Sequence, residues 1–200
     1  MEVPRESEGA AACWASLLAH GTQVGRLPAA PGSRRGLGWG QFAVRSERVT
    51  MSISVDVVNR QKVVRVNAVW LGRVARRAIT ALGHDAAAIT VAIVNDAEIA
   101  SLHHRWMGLP DPTDVLTFDL SGGDGVIAGD IVVSAETARR VAREVGWQPR
   151  QELGYYVVHG LLHLTGFDDV TPGERRRMRR KERDVMVAIG LPAPPRRPRK

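Results

Sequence analysis

The sequence predicts an α+β fold, a single domain in which helices pack on a mixed β-sheet of about four strands. Apolar residues recur with a period of two in some segments and of three to four in others, which is typical of strands and amphipathic helices respectively. These segments follow the order strand, helix, strand, helix, strand, strand and then three helices, an order that favours a mixed sheet over an all-helical fold. The 44% hydrophobic content of the 200 residues is ordinary for a globular chain.

The first half of the predicted domain alternates strand and helix. Residues 53–58 alternate apolar and polar side chains, and residues 88–94 form a mostly apolar run, so both are predicted strands. Between them, residues 66–82 place apolar side chains three and four apart, which predicts an amphipathic helix. Asn95 or Asp96 can cap the helix that follows the second strand.

Two more strands and a helix follow. Residues 115–118 and 126–133 are predicted strands, and the glycine-rich residues 121–125 form the turn between them. Ser134 is the predicted N-cap of the next helix, with Glu136 acting as the acid of a capping box.

Two helices complete the predicted domain. The first covers residues 152–164 and stops at Gly166, because glycine takes the left-handed backbone of a C-terminal cap without penalty. The second begins at Thr171, where Pro172 at the first helical position and Glu174 make a strong start signal.

The composition divides the chain into three predicted regions. Residues 1–50 lack a sustained period and are predicted to be a disordered extension, either dispensable or the product of a start codon assigned too early. The folded domain is predicted to span residues 51–192, beginning at Met51. It holds 18 Lys and Arg against 17 Asp and Glu, so most of the net charge of +7 comes from the ends, including a basic disordered tail at residues 193–200.

The cysteine content and the hydropathy of the chain indicate the cellular compartment in which we expect the protein. The single cysteine, Cys13, excludes a disulfide framework and a cysteine metal cluster, which fits a reducing cytoplasmic location. No segment is long and apolar enough to span a membrane, so we expect no membrane partner.

A histidine pair in the helix at residues 152–164 indicates metal chemistry. His159 and His163 are four residues apart, so on a helix both imidazoles lie on one face and can point at one ion. The turn after Gly166 carries Asp168 and Asp169, which brings a carboxylate to the open side of the pair. Three ligands of nitrogen and oxygen type leave the fourth position of a tetrahedral zinc ion open, as in catalytic sites. We therefore predict one Zn²⁺ held by His159, His163 and Asp169.

Other interpretations of these residues stay open. The histidines could be satisfied by hydrogen bonds in the core, or the metal could be purely structural, although no fourth ligand is visible in the sequence. Asp168 is a candidate for proton transfer, and the alternative is an aspartate that only caps backbone N–H groups. His103 and His104 are adjacent and therefore point in different directions on a helix, as surface residues do.

Three separated motifs resemble the YbeY family of bacterial endoribonucleases, also called rRNA maturation factors. Residues 159–169 (His-Gly-Leu-Leu-His-Leu-Thr-Gly-Phe-Asp-Asp) are similar to the family's His-Gly-x-Leu-His-Leu-x-Gly-x-Asp-His signature. Residues 112–118 are similar to its Pro-Thr-Asp-Val-Leu-Ser-Phe segment, and residues 129–131 to its Gly-Asp-Ile strand. The resemblance, which covers about residues 51–190, implies a zinc-dependent, single-strand-specific endoribonuclease in 16S rRNA 3′-end maturation and ribosome quality control. It implies rRNA or 30S precursors as partners, with a ribosomal protein as a further candidate.

Two departures from the family pattern affect the site. The family's third metal ligand is a histidine, and Asp169 stands at that position. Zinc also accepts two histidines and one carboxylate as ligands. A carboxylate leaves the ion less positive, so its bound water is harder to ionise. Met107 matches an arginine that the family usually carries, and Arg105 is the candidate replacement. Arg105 and Asp114 are the predicted substrate-binding residues. Asp114 and Asp130 are also candidates to accept a histidine N–H, with turn capping or strand-end pairing as the alternative.

The first functional hypothesis is a metal-dependent endoribonuclease, with water on the zinc ion as the nucleophile. The second is a non-catalytic ribosome-assembly factor that binds pre-rRNA or a ribosomal protein and carries a structural metal. A zinc hydrolase of unrelated substrate is the third, and a peptidase is disfavoured because Gly160 stands where His-Glu-x-x-His peptidases carry their glutamate. Basic residues crowd the last helix, and we interpret them as a solvated face, with phosphate binding as the alternative: Arg175, Arg176, Arg177, Arg179, Arg180, Lys181 and Arg183.

Overall fold

The computed structural model of the protein describes residues 52–122 and 125–195. All of these residues fall within one compact unit, Met51–Lys200. The predicted disordered extension at residues 1–50 and residues 196–200 of the predicted tail lie outside the described residues, so both expectations stay predictions. None of the described helices combines the length and the apolarity that crossing a membrane requires.

Strands and helices of the described residues follow the predicted order, and the α+β class is confirmed. The strands are β1 Ile53–Asn59, β2 Ala87–Val94, β3 Val115–Asp119 and β4 Ile127–Ser134. The helices are α1 Ala68–Ala81, α2 Asp96–Met107, α3 Ala135–Glu144, α4 Pro149–Leu164 and α5 Pro172–Ala188. The largest difference in bounds is at α4, which begins three residues earlier than predicted. Pro149 occupies its first turn, where its missing N–H costs nothing, and Gln151 Oε1 accepts the Gln148 N–H at 2.8 Å.

The four strands form one mixed sheet in the order β1-β2-β4-β3. β1 and β2 are parallel, β2 and β4 are parallel, and β3 is antiparallel to β4. The predicted mixed sheet of about four strands is therefore confirmed. β4 lies between β2 and β3, so β2 and β4 are the two interior strands and β1 and β3 are the edge strands.

One face of the sheet is covered by α1 and α4. A Cβ built on Gly72 of α1 would lie 3.3 Å from Cγ2 of Val57 in β1, and one built on Gly129 of β4 would lie 2.7 Å from Cδ2 of Leu164 in α4. Because side chains alternate along a strand, Ile131 shares this helix-covered face with Gly129. The core lies in this layer, and it includes the fully buried side chains of Leu71, Ile79, Ile131, Leu153, Leu161 and Leu162.

The N-termini of α2 and α3 are capped, partly across the two helices. Asn95 caps α2, since its Oδ1 accepts the Glu98 N–H at 2.8 Å. Ser134 caps α3 as predicted. The expectation that Glu136 completes the capping box of its own helix is wrong, because the third helical residue of α3 is Thr137. Glu136 instead accepts the backbone N–H of Asp96 at 2.8 Å and so caps α2.

Helix α5 packs against α4 and α1 through a narrow stripe. The buried residues of this stripe are Met178, Glu182, Val185 and Met186. The start signal read from sequence is confirmed, because Thr171 and Glu174 form a reciprocal capping box. The position of α5 matters for function, because the stripe includes a carboxylate that meets α4 at the histidine pair.

Candidate metal centre

Helix α4 presents two imidazoles to one point. His159 and His163 lie one turn apart on the same face of α4, and their Nε2 atoms are 3.1 Å apart. The two rings are nearly perpendicular, at 87°, with centroids 4.7 Å apart. Two nitrogens at about 2.0–2.1 Å from one tetrahedral zinc ion would be about 3.3–3.4 Å apart. The observed separation therefore fits a shared ion with a movement of a few tenths of an ångström.

A buried carboxylate from α5 holds one of these rings. Oε1 of Glu182 lies 2.7 Å from Nδ1 of His159 and also accepts the hydroxyl of Tyr155 at 3.0 Å. Glu182 is only 3% exposed. The sequence reasoning missed this residue because the arginines around it suggested a solvated helix. A signal was present: Glu182 stands four residues after Met178 and four before Met186, within the apolar stripe.

The surroundings shift the pKa values of the two histidines in opposite directions. Burial would lower the pKa of His159, but its hydrogen bond to Glu182 and the charges of Glu182, Asp169 and Asp114 outweigh burial and raise the pKa. Burial and the charge of His159 lower the pKa of His163, and the charges of Asp169 and Asp168 offset this only in part. The upward shift of the His159 pKa follows chiefly from the contact of its Nδ1 with Glu182.

The turn after α4 brings acidic residues near the pair. The charge of half-buried Asp169 acts on both imidazoles, and Arg175 braces this turn by donating to the backbone oxygens of Asp169 and Val170 at 3.1 and 2.6 Å. Exposed Asp168 accepts the Asp169 N–H at 2.7 Å, which is the capping role considered as its alternative. Within residues 52–122 and 125–195, no three His, Cys, Asp or Glu side chains gather closely enough to hold an ion. The structure thus brings the two histidines together and leaves Asp169 nearby, so the three-ligand site stays a prediction.

The predicted substrate-binding residues occupy different places. Asp114 precedes β3, and its charge contributes to the raised pKa of His159, so it lies near the pair. Arg105 lies at the end of α2, with its guanidinium carbon 5.8 Å from the ring centroid of Trp106. Met107, at the position of the family arginine, is 56% exposed. Asp114 therefore adds negative charge to the site, whereas the contact described for Arg105 is with its own neighbour on α2.

Asp130 lies on the other face of the sheet. It alternates with Gly129 and Ile131, which face α4, and its hydrogen-bond partner is Thr90. Burial raises the pKa of Asp130. It therefore does not support the histidine pair in the way considered from the sequence.

Gly160 faces the sheet and not the histidine pair. A Cβ at this position would lie 2.8 Å from Cγ2 of Ile131 and 3.1 Å from Oγ1 of Thr117. A glutamate after the first histidine, as zinc peptidases have, would collide with β4 and β3. Packing therefore gives a steric reason for the glycine and supports the argument against a peptidase.

Sequence comparisons find relatives of this chain over most of the residues that the structure describes. A family model described as Endoribonuclease YbeY matches residues 56–190. The endoribonuclease YbeY of Anaeromyxobacter sp. (strain Fw109-5) is 44% identical over 115 residues, which make up 56% of this chain and 60% of that protein. That of Pelotomaculum thermopropionicum is 39% identical over 129 residues, 60% of this chain and 85% of that protein.

The extent of these matches differs between relatives. The matched part spans 60% of the length of both Anaeromyxobacter relatives. A solution structure from Thermotoga maritima aligns at 25% identity with a TM-score of 0.49, covering 67% of this chain and 90% of that one, which is too weak to add to the sequence matches. Because the family match covers more than half of the chain, the protein belongs to the Endoribonuclease YbeY family.

Proposed function

We propose that this protein is a zinc-dependent endoribonuclease that cuts single-stranded RNA, with a cytoplasmic role in 16S rRNA 3′-end maturation and ribosome quality control. The observation that carries the proposal is the 3.1 Å convergence of the His159 and His163 Nε2 atoms on one point beside an acidic turn. Membership of the family supports the reaction class, because the relatives at 39–44% identity carry the name endoribonuclease.

The donor set fits zinc. Nε2 atoms of His159 and His163 would be two ligands, and Asp169 would be the third after a local movement of its turn, as Zn²⁺ with two imidazoles and one carboxylate is a common catalytic arrangement. A zinc ion bound here would polarise a phosphoryl oxygen and would lower the pKa of water towards about 7. The chain's own contribution is to place the Nε2 atoms of both imidazoles close to one point. Exposed Asp168 lies beside this point and could take up a proton.

Helix α5 supports an RNA substrate by its charge. Six of its arginines are exposed, and among the described residues none of these six guanidinium groups pairs with a carboxylate. Arg175 and Arg179 stand seven and three residues before Glu182, so they lie on the side of the helix that reaches His159. A basic surface beside the histidine pair suits the phosphates of a polyanion.

The decisive experiment measures cleavage of a labelled single-stranded RNA by the zinc-loaded full chain, with the same RNA annealed to its complement as the specificity control. We expect cutting of the single strand, loss of cutting in His163→Ala with RNA binding retained, and normal cutting in His104→Ala, an exposed histidine on α2. Intact RNA with zinc-loaded wild type would overturn the proposal. It would favour the second candidate, a non-catalytic assembly factor that binds pre-rRNA or a ribosomal protein, since the arginines of α5 could serve binding alone.

Salt dependence tests the role of α5. Each phosphate contact on a single strand contributes about 0.7 to the slope of log affinity against log salt. We expect Arg179→Gln to weaken RNA binding and to lower this slope by about 0.7. The matched control, Arg73→Gln on the exposed side of α1, should leave the slope unchanged. Equal effects of the two substitutions would contradict a specific role for α5.

A further inference from the structure

Glu182 is the buried polar residue whose contacts call for an explanation beyond stability. It occupies a position in the apolar stripe of α5, between Met178 and Met186, and is 3% exposed. Removing a carboxylate from water costs several kcal/mol unless partners compensate for it. An apolar side chain would pack there without that cost, so the carboxylate is explained by what it contacts.

Both contacts come from one face of α4. Tyr155 and His159 are four residues apart on that face, and both place a donor on the same carboxylate oxygen, at 3.0 and 2.7 Å. An ionised carboxylate only accepts hydrogen bonds, so the proton of a neutral His159 must sit on Nδ1. The lone pair of His159 is then on Nε2, the atom that lies 3.1 Å from Nε2 of His163. A carboxylate behind a histidine of this kind orients the ring and selects the tautomer that can bind a metal.

We propose that Glu182 is a positioning residue for the histidine pair. It fixes His159 in the Nδ1–H tautomer and holds its Nε2 towards the predicted ion, while the Tyr155 hydroxyl keeps the carboxylate in place. The role in metal binding rests on the proposed function. The choice of tautomer does not, because the contacts that set it involve only residues of the chain.

This role makes the predicted ion site a product of two helices. Both imidazoles lie on α4, but the group that orients one of them lies on α5, next to the exposed arginines. When α5 packs on α4, Glu182 reaches His159, and the exposed arginines of α5 come to lie beside the histidine pair. Met178 and Met186, which flank Glu182 along the stripe, supply the apolar contact that holds α5 in this position.

The test compares Glu182→Ala and Glu182→Gln with Asp184→Ala, an exposed acid on the same helix. Histidine ¹⁵N NMR of the metal-free protein near pH 8 reports the tautomer of His159, and competition with a chelator reports zinc affinity. We expect Glu182→Ala to shift His159 from the Nδ1–H form to a mixture of tautomers and to weaken zinc binding about 10-fold to 100-fold. Glu182→Gln, whose amide oxygen can still accept the Nδ1–H, should recover much of both. Asp184→Ala should match the wild type.

Each outcome decides the proposal. An unchanged tautomer together with zinc affinity within twofold of wild type in folded Glu182→Ala would overturn it, even if the melting temperature falls, because that pattern means a purely structural role. Should Glu182→Ala fail to fold, Glu182→Leu takes its place, because leucine suits the apolar stripe of α5 and offers no acceptor for the Nδ1–H. An unchanged tautomer together with zinc affinity within twofold of wild type in Glu182→Leu would then overturn it. Absence of zinc binding in wild type would refute the proposed function, and the tautomer measurement would still judge Glu182.

Discussion

Replacing Gly160 by alanine tests how α4 is seated on the sheet beneath the histidine pair. The new Cβ would lie 2.8 Å from Cγ2 and 3.2 Å from Cδ1 of Ile131, and 3.1 Å from Oγ1 of Thr117. Carbon atoms in good contact are about 3.5–4.0 Å apart, so α4 or β4 must move by roughly 0.7 Å to admit the methyl group. Ile131 is fully buried, and its Cγ2 is attached directly to Cβ, so this atom cannot turn aside without leaving a favoured rotamer.

Two opposing effects set the size of the change in stability. Overpacking a filled core costs about 1–3 kcal/mol, whereas alanine is favoured over glycine in a helix interior by about 0.8–1 kcal/mol. Overpacking dominates here because the nearest atom, Cγ2 of the fully buried Ile131, belongs to an interior strand of the sheet. We expect the free energy of unfolding to fall by up to about 2 kcal/mol, which corresponds to a fall in melting temperature of up to roughly 8 °C at about 2–4 °C per kcal/mol.

Gly173→Ala is the matched control, because it adds the same methyl group to a helix with room for it. The nearest atom to a Cβ at Gly173 is Oγ1 of Thr171 at 3.9 Å. Helix propensity and reduced freedom of the unfolded chain then act alone, and we expect no loss and a gain of up to about 1 kcal/mol. The assay is urea unfolding of both variants with a common slope, followed by comparison of the midpoints. If both midpoints moved upwards, the close seating of α4 on β4 would be refuted.

Three further predictions concern the charges around the site and the sheet. Asp169→Ala should lower zinc affinity at least about 10-fold in a chelator competition. Asp169→His should restore the affinity, since imidazole is a good zinc ligand. Wild-type affinity in the Ala variant would exclude Asp169 as a ligand. Zinc must displace a proton from His159, whose pKa is raised. As the pH is lowered, the zinc affinity should therefore begin to fall while the pH is still above about 6.5, the usual pKa of histidine. A zinc-affinity titration with its midpoint at lower pH would contradict this. Burial raises the pKa of Asp130, so its contribution to stability is complete below its unfolded value of 3.8 and is lost as the pH rises through the folded value. Asp130→Asn should therefore be more stable than wild type at pH 7 in urea unfolding, with a smaller advantage near pH 4, and an advantage that grew on acidification would show the opposite sign of shift.

Local sequence signals predicted the helices well because the interactions that start and stop them lie within a few residues. Asn95 and Thr171 cap α2 and α5 as expected, and Gly166 takes the left-handed backbone that follows α4. Glu136 shows where such reasoning fails. Its position suggested a cap for its own helix, but its partner is the backbone of Asp96, which is 40 residues away and comes close only in the folded protein.

The candidate site also has one part that the sequence could predict and another part that it could not. The four-residue spacing of His159 and His163 is a local property of a helix, so their convergence could be predicted from the sequence. Glu182 lies 23 residues beyond His159, and nothing in the periodicity of α5 shows which helix its buried face meets. Asp130 was considered for the site because of its motif, but strand pairing places it on the opposite face.

By itself, the sequence determined the fold class, the order of strands and helices and the histidine pair, because each depends on the spacing of residues along one segment. Tertiary structure decided the strand order β1-β2-β4-β3, the steric need for glycine at position 160 and the contact of Glu182 with His159. These three depend on which distant surfaces meet when apolar faces are buried together. Periodicity shows which face of an element is buried, but it does not name the partner of that face.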